Sequence, residues 1–195
     1  MKLVAITGSI GCGKTTIAKI VNRLGFSVYD VDGWVRRLYN KKDFIEEIIK
    51  CFPDSLEGGK FNKRKLRNIV FNDKKQLKKL EDLIHPFLDR TLKFYINRHS
   101  KTDYTYFIDV ALLFEMGWEK YCDFIIVADV PYEIQKQRVM RRDNVSAEHF
   151  EQIVAVQLDN NAKKELADIV IDTNTTPNLL RLEVINVING ILSND

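Results

Sequence analysis

This 195-residue chain predicts a three-layer α/β/α fold around a five-stranded parallel sheet, on three observations. An apolar run ends in a glycine-rich loop that opens a helical pattern. Four later runs of strand character each reach an aspartate, as parallel strands buried on both faces tend to do. Helical patterns separate the runs, so right-handed crossovers must join the strands.

Taken in order, Leu3-Val4-Ala5-Ile6-Thr7 is the first strand and Thr16 to Leu24 the first helix. Phe26 to Tyr29 reads as a short buried strand ending at Asp30-Val31-Asp32. Ligands of open parallel sheets bind at the carboxyl ends of the strands, so these aspartates are expected to point toward the glycine loop. From Gly33 to about His99 the pattern is helical without an evident strand, with Trp34, Leu38, Phe44, Ile45, Ile48 and Ile49 on apolar faces. Pro53 to Lys60 is a turn containing Gly58-Gly59, Lys63 to Arg67 opens another helix, and Asp73 is placed to cap the next. Pro86, after His85, is expected to kink or break that helix.

Strand character returns at Tyr104 to Val110 and at Phe124 to Asp129. Pro131 starts a helix carrying Gln135, Arg138, Arg141 and Arg142; Ser146 begins another, and Gln157 to Leu166 reads as polar and helical. Ala167 to Asp172 is the fifth strand, followed by a polar turn and a helix from Pro177. The expected organisation is a single domain: a core of 1–32, 104–137 and 162–195, a helical acceptor-binding insertion at 33–103, and a helical lid at 138–161.

Composition supports a globular protein: 45% hydrophobic and 29% charged residues argue against disorder. No run is long enough to span a bilayer and no secretory leader precedes Met1-Lys2, so a cytoplasmic location is expected. Cys12, Cys51 and Cys122 are scattered and odd in number, which suggests neither a disulfide framework nor a zinc site. A net charge of +3 is too small to imply nucleic acid by itself. The expected partner is a small molecule, with no nucleic acid, membrane or obligate protein partner.

The chemistry centres on Gly8-Ser9-Ile10-Gly11-Cys12-Gly13-Lys14-Thr15, which fits G-x-x-x-x-G-K-[ST] between a strand and a helix. Glycines let the backbone wrap a phosphate at a helix N-terminus, where N–H groups and the helix dipole attract anions. Lys14 then reaches the β- and γ-phosphates and the Thr15 hydroxyl ligates Mg²⁺, so ATP and Mg²⁺ are the expected cofactors. Two further matches point to a GTPase: Asp30 to Gly33 fits D-x-x-G and Asn40 to Asp43 fits N-K-x-D. A guanine-reading N-K-x-D belongs after a late sheet strand, whereas this one lies between helical patterns, so both are read as chance.

The remaining motifs resemble the dephospho-coenzyme A kinase family over nearly the whole chain. They comprise Thr7 to Thr15, Leu24-Gly25, Asp30-Val31-Asp32, Arg64-Lys65-Leu66-Arg67 with Val70-Phe71, His85-Pro86, and Asp109 to Glu115. Glu133 and Gln135 with Arg138 and Arg142-Asp143, and then Ala167 to Asp172, complete the series. The family usually has glycine at Ser9, serine at Cys12 and proline at Ala111; Ser9 narrows the freedom of the loop and Ala111 loosens the turn after the third strand. The resemblance implies a P-loop kinase that phosphorylates the ribose 3′-hydroxyl of dephospho-coenzyme A from ATP, the last step of coenzyme A biosynthesis.

On that reading, Gly8 through Thr16 bind the nucleotide, and Lys14 also serves catalysis. Asp32 is the expected base and acceptor contact, or else an N-cap of the following helix. Asp30 orients Asp32, binds metal-held water or only caps. Arg138 and Arg142, one helical turn apart, suit cations that swing onto the triphosphate, Arg138 with a catalytic part; a solvated face is the alternative. Arg64 and Arg67 share a face and bind acceptor phosphate or form surface ion pairs. His85 contacts the acceptor or is structural. Asp109 holds a Mg²⁺ water or caps backbone N–H groups. Asn174, from the resemblance alone, lies by the adenine. Cys12, beside Lys14 and a helix N-terminus, is expected to be a reactive thiol that MgATP protects, unless it is buried behind the loop.

Overall fold

A computed structural model describes residues 1–71, Phe71 by its backbone only, and 73–193. The side chain of Phe71 and the last two residues of the expected core, 194–195, lie outside it. The chain divides into two units, Met1–Asp30 with Lys101–Asp195, and Val31–Ser100.

In the first unit β1 (Lys2–Thr7) is central in a five-stranded sheet of order β2-β5-β1-β6-β7, completed by β2 (Ser27–Asp30), β5 (Thr105–Asp109), β6 (Phe124–Asp129) and β7 (Ile169–Asp172). All pairings are parallel. The apolar runs of β1, β5 and β6 are buried because each has a strand on both sides. β2 is an edge strand, and Ser27 and Asp30 are exposed; the expected buried strand is therefore only half buried, shifted by one residue. Short runs with mixed polarity cannot reveal from sequence which sheet edge they occupy.

α1 (Lys14–Arg23) and α9 (Pro177–Ser193) pack on the sheet. The stripe Leu180, Val184, Ile188 and Ile191 on α9 recurs at helical spacing and joins Ile17 and Val21 of α1, Phe107, Ile126 and Ile171 in one core. α6 (Tyr132–Asp143) follows β6 and ends at Asn144, whose left-handed φ of 52° stops the helix. It runs unbroken through residue 138, so no element boundary falls where the lid was expected to begin. Ser146 caps α7 (Ala147–Val154) by accepting from His149 N, and Asp159 caps α8 (Asn160–Glu165). Residues 155–159 are not helical, which shortens the helix read over 157–166.

The second unit has its own core of Leu38, Phe44, Ile48, Phe52, Leu66, Val70 and Leu80. These come from α2 (Val31–Leu38), α3 (Lys42–Cys51), the Phe52 cap of a short helical turn at Pro53–Ser55, α4 (Lys63–Phe71) and α5 (Lys74–His99). The unit is not purely helical: β3 (Leu56–Glu57) and β4 (Lys60–Phe61) form an antiparallel ribbon. Its turn is Gly58-Gly59, with φ of 56° and 77°, a pair of left-handed residues that suits a two-residue hairpin. α5, capped by Asp73, continues through Pro86 instead of breaking. Proline costs an interior helix roughly 3 kcal/mol through a lost ladder bond and a ring clash. Buried Leu80 on one side and Leu88 and Leu92 on the other hold the helix across that weak point.

Candidate active site

The loop after β1 carries positive φ at Gly8, Gly11 and Gly13, and Gly13 (φ 95°) opens α1. A Cβ on Gly11 would meet Val139 Cγ2 at 2.6 Å, and one on Gly13 would meet the Thr173 side chain at 2.9 Å. The loop is thus shaped by close packing against α6 and the turn after β7 as well as by dihedral need. α1 begins without a side-chain cap and without an acidic residue in its first turn, so its positive end remains available to an anion.

A cleft of 750 Å³ opens over this helix start. Lys14, Lys19, Arg23, Arg138, Arg142 and Arg181 line it, with no acidic residue among the lining. Gly11, Gly13, Thr15 and Thr16 form its loop side. Lys14 Nζ donates to Gly8 O at 2.7 Å and to Ser9 O at 3.4 Å. Arg138 is held in place by Thr173, donating from Nη1 to Oγ1 and from Nη2 to the carbonyl, both at 2.9 Å. Arg142 reaches the same cleft while paired with Asp143 at 2.7 Å.

Thr15 also borders an adjoining cleft of 270 Å³ with Asp30 and Asp109. These two aspartates are register partners at the carboxyl ends of β2 and β5. A hydroxyl and two carboxylates make an all-oxygen donor set that fits Mg²⁺, which is usually held by one or two carboxylates together with substrate phosphates. Among the described residues no cluster of three or more His, Cys, Asp or Glu could hold a metal. A set of one hydroxyl and two carboxylates suits an ion that is also bound by phosphates.

Several loop residues lie away from the charged cleft. Gly8 packs under the loop against Ala128. Ser9 faces a separate pocket, and its N–H, like that of Ile10, is held by a side-chain amide. Ser9 has no positive φ, since Asn144 alone among the described non-glycine residues does, so its departure from glycine imposes no strain. Cys12 is fully buried in the core behind the loop, and burial pushes its thiol up to about 11 despite the opposing charge of Lys14. Burial favours the alternative of a thiol packed behind the loop, desolvation outweighing the charge of Lys14. Cys12 is not among the residues that line the cleft.

Asn174 is exposed, its N–H donates to Asp172 Oδ1, and the cleft is lined instead by its neighbours Thr173 and Thr175 and by Asn178. Sequence reading placed Thr173 with Asn174 in the turn expected by the adenine but missed its bracing role: it accepts from Arg138, and its hydroxyl lies 2.8 Å from Cys12 O and 3.1 Å from Asp129 O. A threonine in a polar turn carries no signal of this kind. It also missed Lys163, which is buried and donates to Ala111 O at 2.8 Å while pairing with Glu115 at 2.9 Å. Lys163 pins the turn that Ala111, in place of proline, was expected to loosen.

In the second unit, Asp32 is exposed in the first turn of α2. The helix begins at Val31, which places Asp32 within its first turn. Arg64 and Arg67 are exposed on one face of α4, and His85 is half-buried inside α5, not at a break. Asn40 to Asp43 joins α2 to α3 and follows no sheet strand, unlike a guanine-reading segment.

A family model described as dephospho-CoA kinase matches residues 2–178. The dephospho-CoA kinase of Fusobacterium nucleatum is 38% identical over 176 residues, 89% of this chain and 90% of that protein. The dephospho-CoA kinase of Bartonella quintana is 36% identical over 195 residues and the full length of both chains. Among solved structures, a dephospho-CoA kinase from Campylobacter jejuni superposes with a TM-score of 0.74 at 30% identity, covering 99% of this chain and 98% of that one.

Proposed function

The chain belongs to the dephospho-CoA kinase family, and from that premise we propose how its residues divide the work of the reaction. The enzyme transfers the γ-phosphoryl of ATP to the ribose 3′-hydroxyl of dephospho-CoA, giving CoA and ADP in the last step of coenzyme A biosynthesis. One observation carries the assignment of the nucleotide site: Lys14, Arg138 and Arg142 converge on one cleft at the start of α1, with no acidic residue in its lining.

Phosphoryl transfer asks a protein for positioning and charge neutralisation more than for covalent chemistry. The backbone at the start of α1 receives the phosphates, and Lys14 leaves its loop carbonyls to follow the β- and γ-phosphates. Arg138, oriented by Thr173, and Arg142 from the next turn balance charge on the opposite side. Thr15 and Asp109, with Asp30 beside them, would hold Mg²⁺, which would supply further neutralisation of the phosphate oxygens. The adenine lies by the turn after β7, where Thr175 and Asn178 line the cleft beside the expected Asn174.

In the helical unit, Asp32 takes the proton of the 3′-hydroxyl as its oxygen attacks the γ-phosphorus and the bond to the β-phosphate oxygen breaks. Arg64 and Arg67 offer planar cations to acceptor phosphates, and His85 contributes a further acceptor contact. Residues 33–103 serve as the acceptor-binding insertion and residues 138–161 as a lid. Among the described residues no helix is long and apolar enough to cross a membrane.

A panel of acceptors, each supplied with ATP and Mg²⁺, tests this reading by ADP release and acceptor mass gain. Dephospho-CoA should gain one phosphate, while shikimate and nucleoside monophosphates should gain little. Equal turnover of the panel, or none with dephospho-CoA, would overturn it. Replacing Mg²⁺ by a chelator should abolish transfer.

A further inference from the structure

Two peptide units of the phosphate loop are held from both ends. The unit joining Gly8 to Ser9 accepts Lys14 Nζ on its carbonyl at 2.7 Å and donates its N–H to Asn160 Oδ1 at 2.9 Å. The unit joining Ser9 to Ile10 accepts Lys14 Nζ at 3.4 Å and donates its N–H to Gln157 Oε1 at 3.0 Å. A trans peptide is planar and points its N–H and C=O in opposite directions. An amide oxygen that captures the N–H therefore also aims the carbonyl on which the lysine rests.

We propose that Gln157 and Asn160 are positioning residues for the kinase reaction: they set the Gly8–Ile10 peptides, and through them the place from which Lys14 engages the triphosphate. The chemistry of the pair is specific. Asn160 uses both ends of its amide, since Nδ2 donates to Asp129 Oδ1 at 2.7 Å while Oδ1 accepts from Ser9, and Lys164 fixes the other Asp129 oxygen at 3.0 Å. A carboxylate in that position would face Asp129 with like charge, and a hydrocarbon would abandon both partners. Gln157 needs only an acceptor. A third amide, Gln135, donates to Ile10 O at 2.7 Å from a nearly buried position, closing the brace on the loop's outer side. Hydrogen bonds on opposite ends of one peptide polarise each other, so losing the amide also weakens the carbonyl's hold on Lys14. Gln157 lies in the non-helical segment between α7 and α8 and Asn160 opens α8, within a stretch whose sequence reads only as polar and helical.

The inference rests on the loop being the nucleotide cradle, and Lys14→Ala serves as the control for that. Steady-state kinetics with dephospho-CoA and amide hydrogen exchange at Ser9 and Ile10 are measured on wild type, Gln157→Met, Gln157→Glu and Asn160→Leu. Gln157→Met keeps shape and removes the acceptor; it should lower kcat/KM for ATP about tenfold, the scale of one lost hydrogen bond. KM for ATP should rise and KM for the acceptor should not move. Exchange at Ile10 should quicken while α1 amides stay protected. Gln157→Glu retains an acceptor and should recover the Ile10 protection. If Asn160→Leu does not fold, the Gln157 pair decides alone. Wild-type kinetics and exchange in Gln157→Met would overturn the proposal, as would equal losses for ATP and acceptor accompanied by a lower thermal midpoint. Wild-type turnover in Lys14→Ala would instead overturn the reading of the cradle itself.

Discussion

The hydroxyl of Thr173 lies 2.8 Å from the carbonyl of Cys12, tying the turn after β7 to the phosphate loop across 161 positions of chain. The same hydroxyl accepts from Arg138, so one buried oxygen connects the loop, the turn after the fifth strand and a cation of the charged cleft. Gly13 is the neighbour that must lack a side chain for Thr173 to come this close.

Thr173→Val keeps the shape and removes the oxygen. Unpairing buried polar groups costs about 1–3 kcal/mol, which in a domain of this size lowers the thermal midpoint by roughly 2–12 °C. KM for ATP should rise as well, because Arg138 loses half of its anchor. Thr173→Ser should restore both quantities; an unchanged midpoint and KM in the valine variant would remove Thr173 from this role.

Lys163 is fully buried against Ala111 O and the Glu115 carboxylate. Lys163→Met leaves Glu115 without its cation, but that side chain is 22% exposed and regains water. The loss should therefore fall below that of a fully buried broken pair, at about 2–3 kcal/mol by denaturant titration. Glu115→Gln should cost less, since its amide oxygen still accepts from Lys163 and from the Leu158 N–H. A larger loss in the glutamine variant would contradict the arrangement.

Cys12 gives a pH prediction. Burial raises its thiol from 9.0 to about 11, so between these values the folded chain keeps a proton that the unfolded chain has lost. Stability is therefore level below pH 9 and falls as pH rises toward 11, by at most about 2–3 kcal/mol. Cys122, pushed up to about 12, adds a fall of the same sign. Cys12→Ala should make the midpoint between pH 8 and 10.5 decline less steeply than wild type. Without denaturant, thiol labelling should reach half-buried Cys51 well before Cys12, with no effect of MgATP on Cys12.

Asp32→Asn should lower turnover on dephospho-CoA by about 10²–10⁴-fold, the usual contribution of a positioned base. The folded state should change little: Asp32 sits in the first turn of α2, where its charge is worth about 0.3–1 kcal/mol. Turnover, ATP affinity and thermal midpoint from one preparation separate the possibilities. Near-normal turnover would count against the base, and lost Mg²⁺ dependence would move Asp32 to the metal site.

The sequence by itself determined the order of strand, loop and helix, the nature of the phosphate loop and the family. Local signals carry those features: apolar runs of strand length, glycines at fixed offsets from a lysine, capping residues such as Asp73 and Ser146, and motifs in a set order. Tertiary structure alone decided that β2 is an edge strand, that Pro86 lies within a continuous helix, and that Cys12 is buried behind the loop. Each depends on what packs around a residue, and packing is not a property of the residues beside it in the chain. The same reason hid Thr173, Gln157, Asn160 and Lys163. Their partners lie 161, 147, 151 and 52 positions away, and only folding turns an ordinary polar side chain into a brace by removing the water that would otherwise satisfy it.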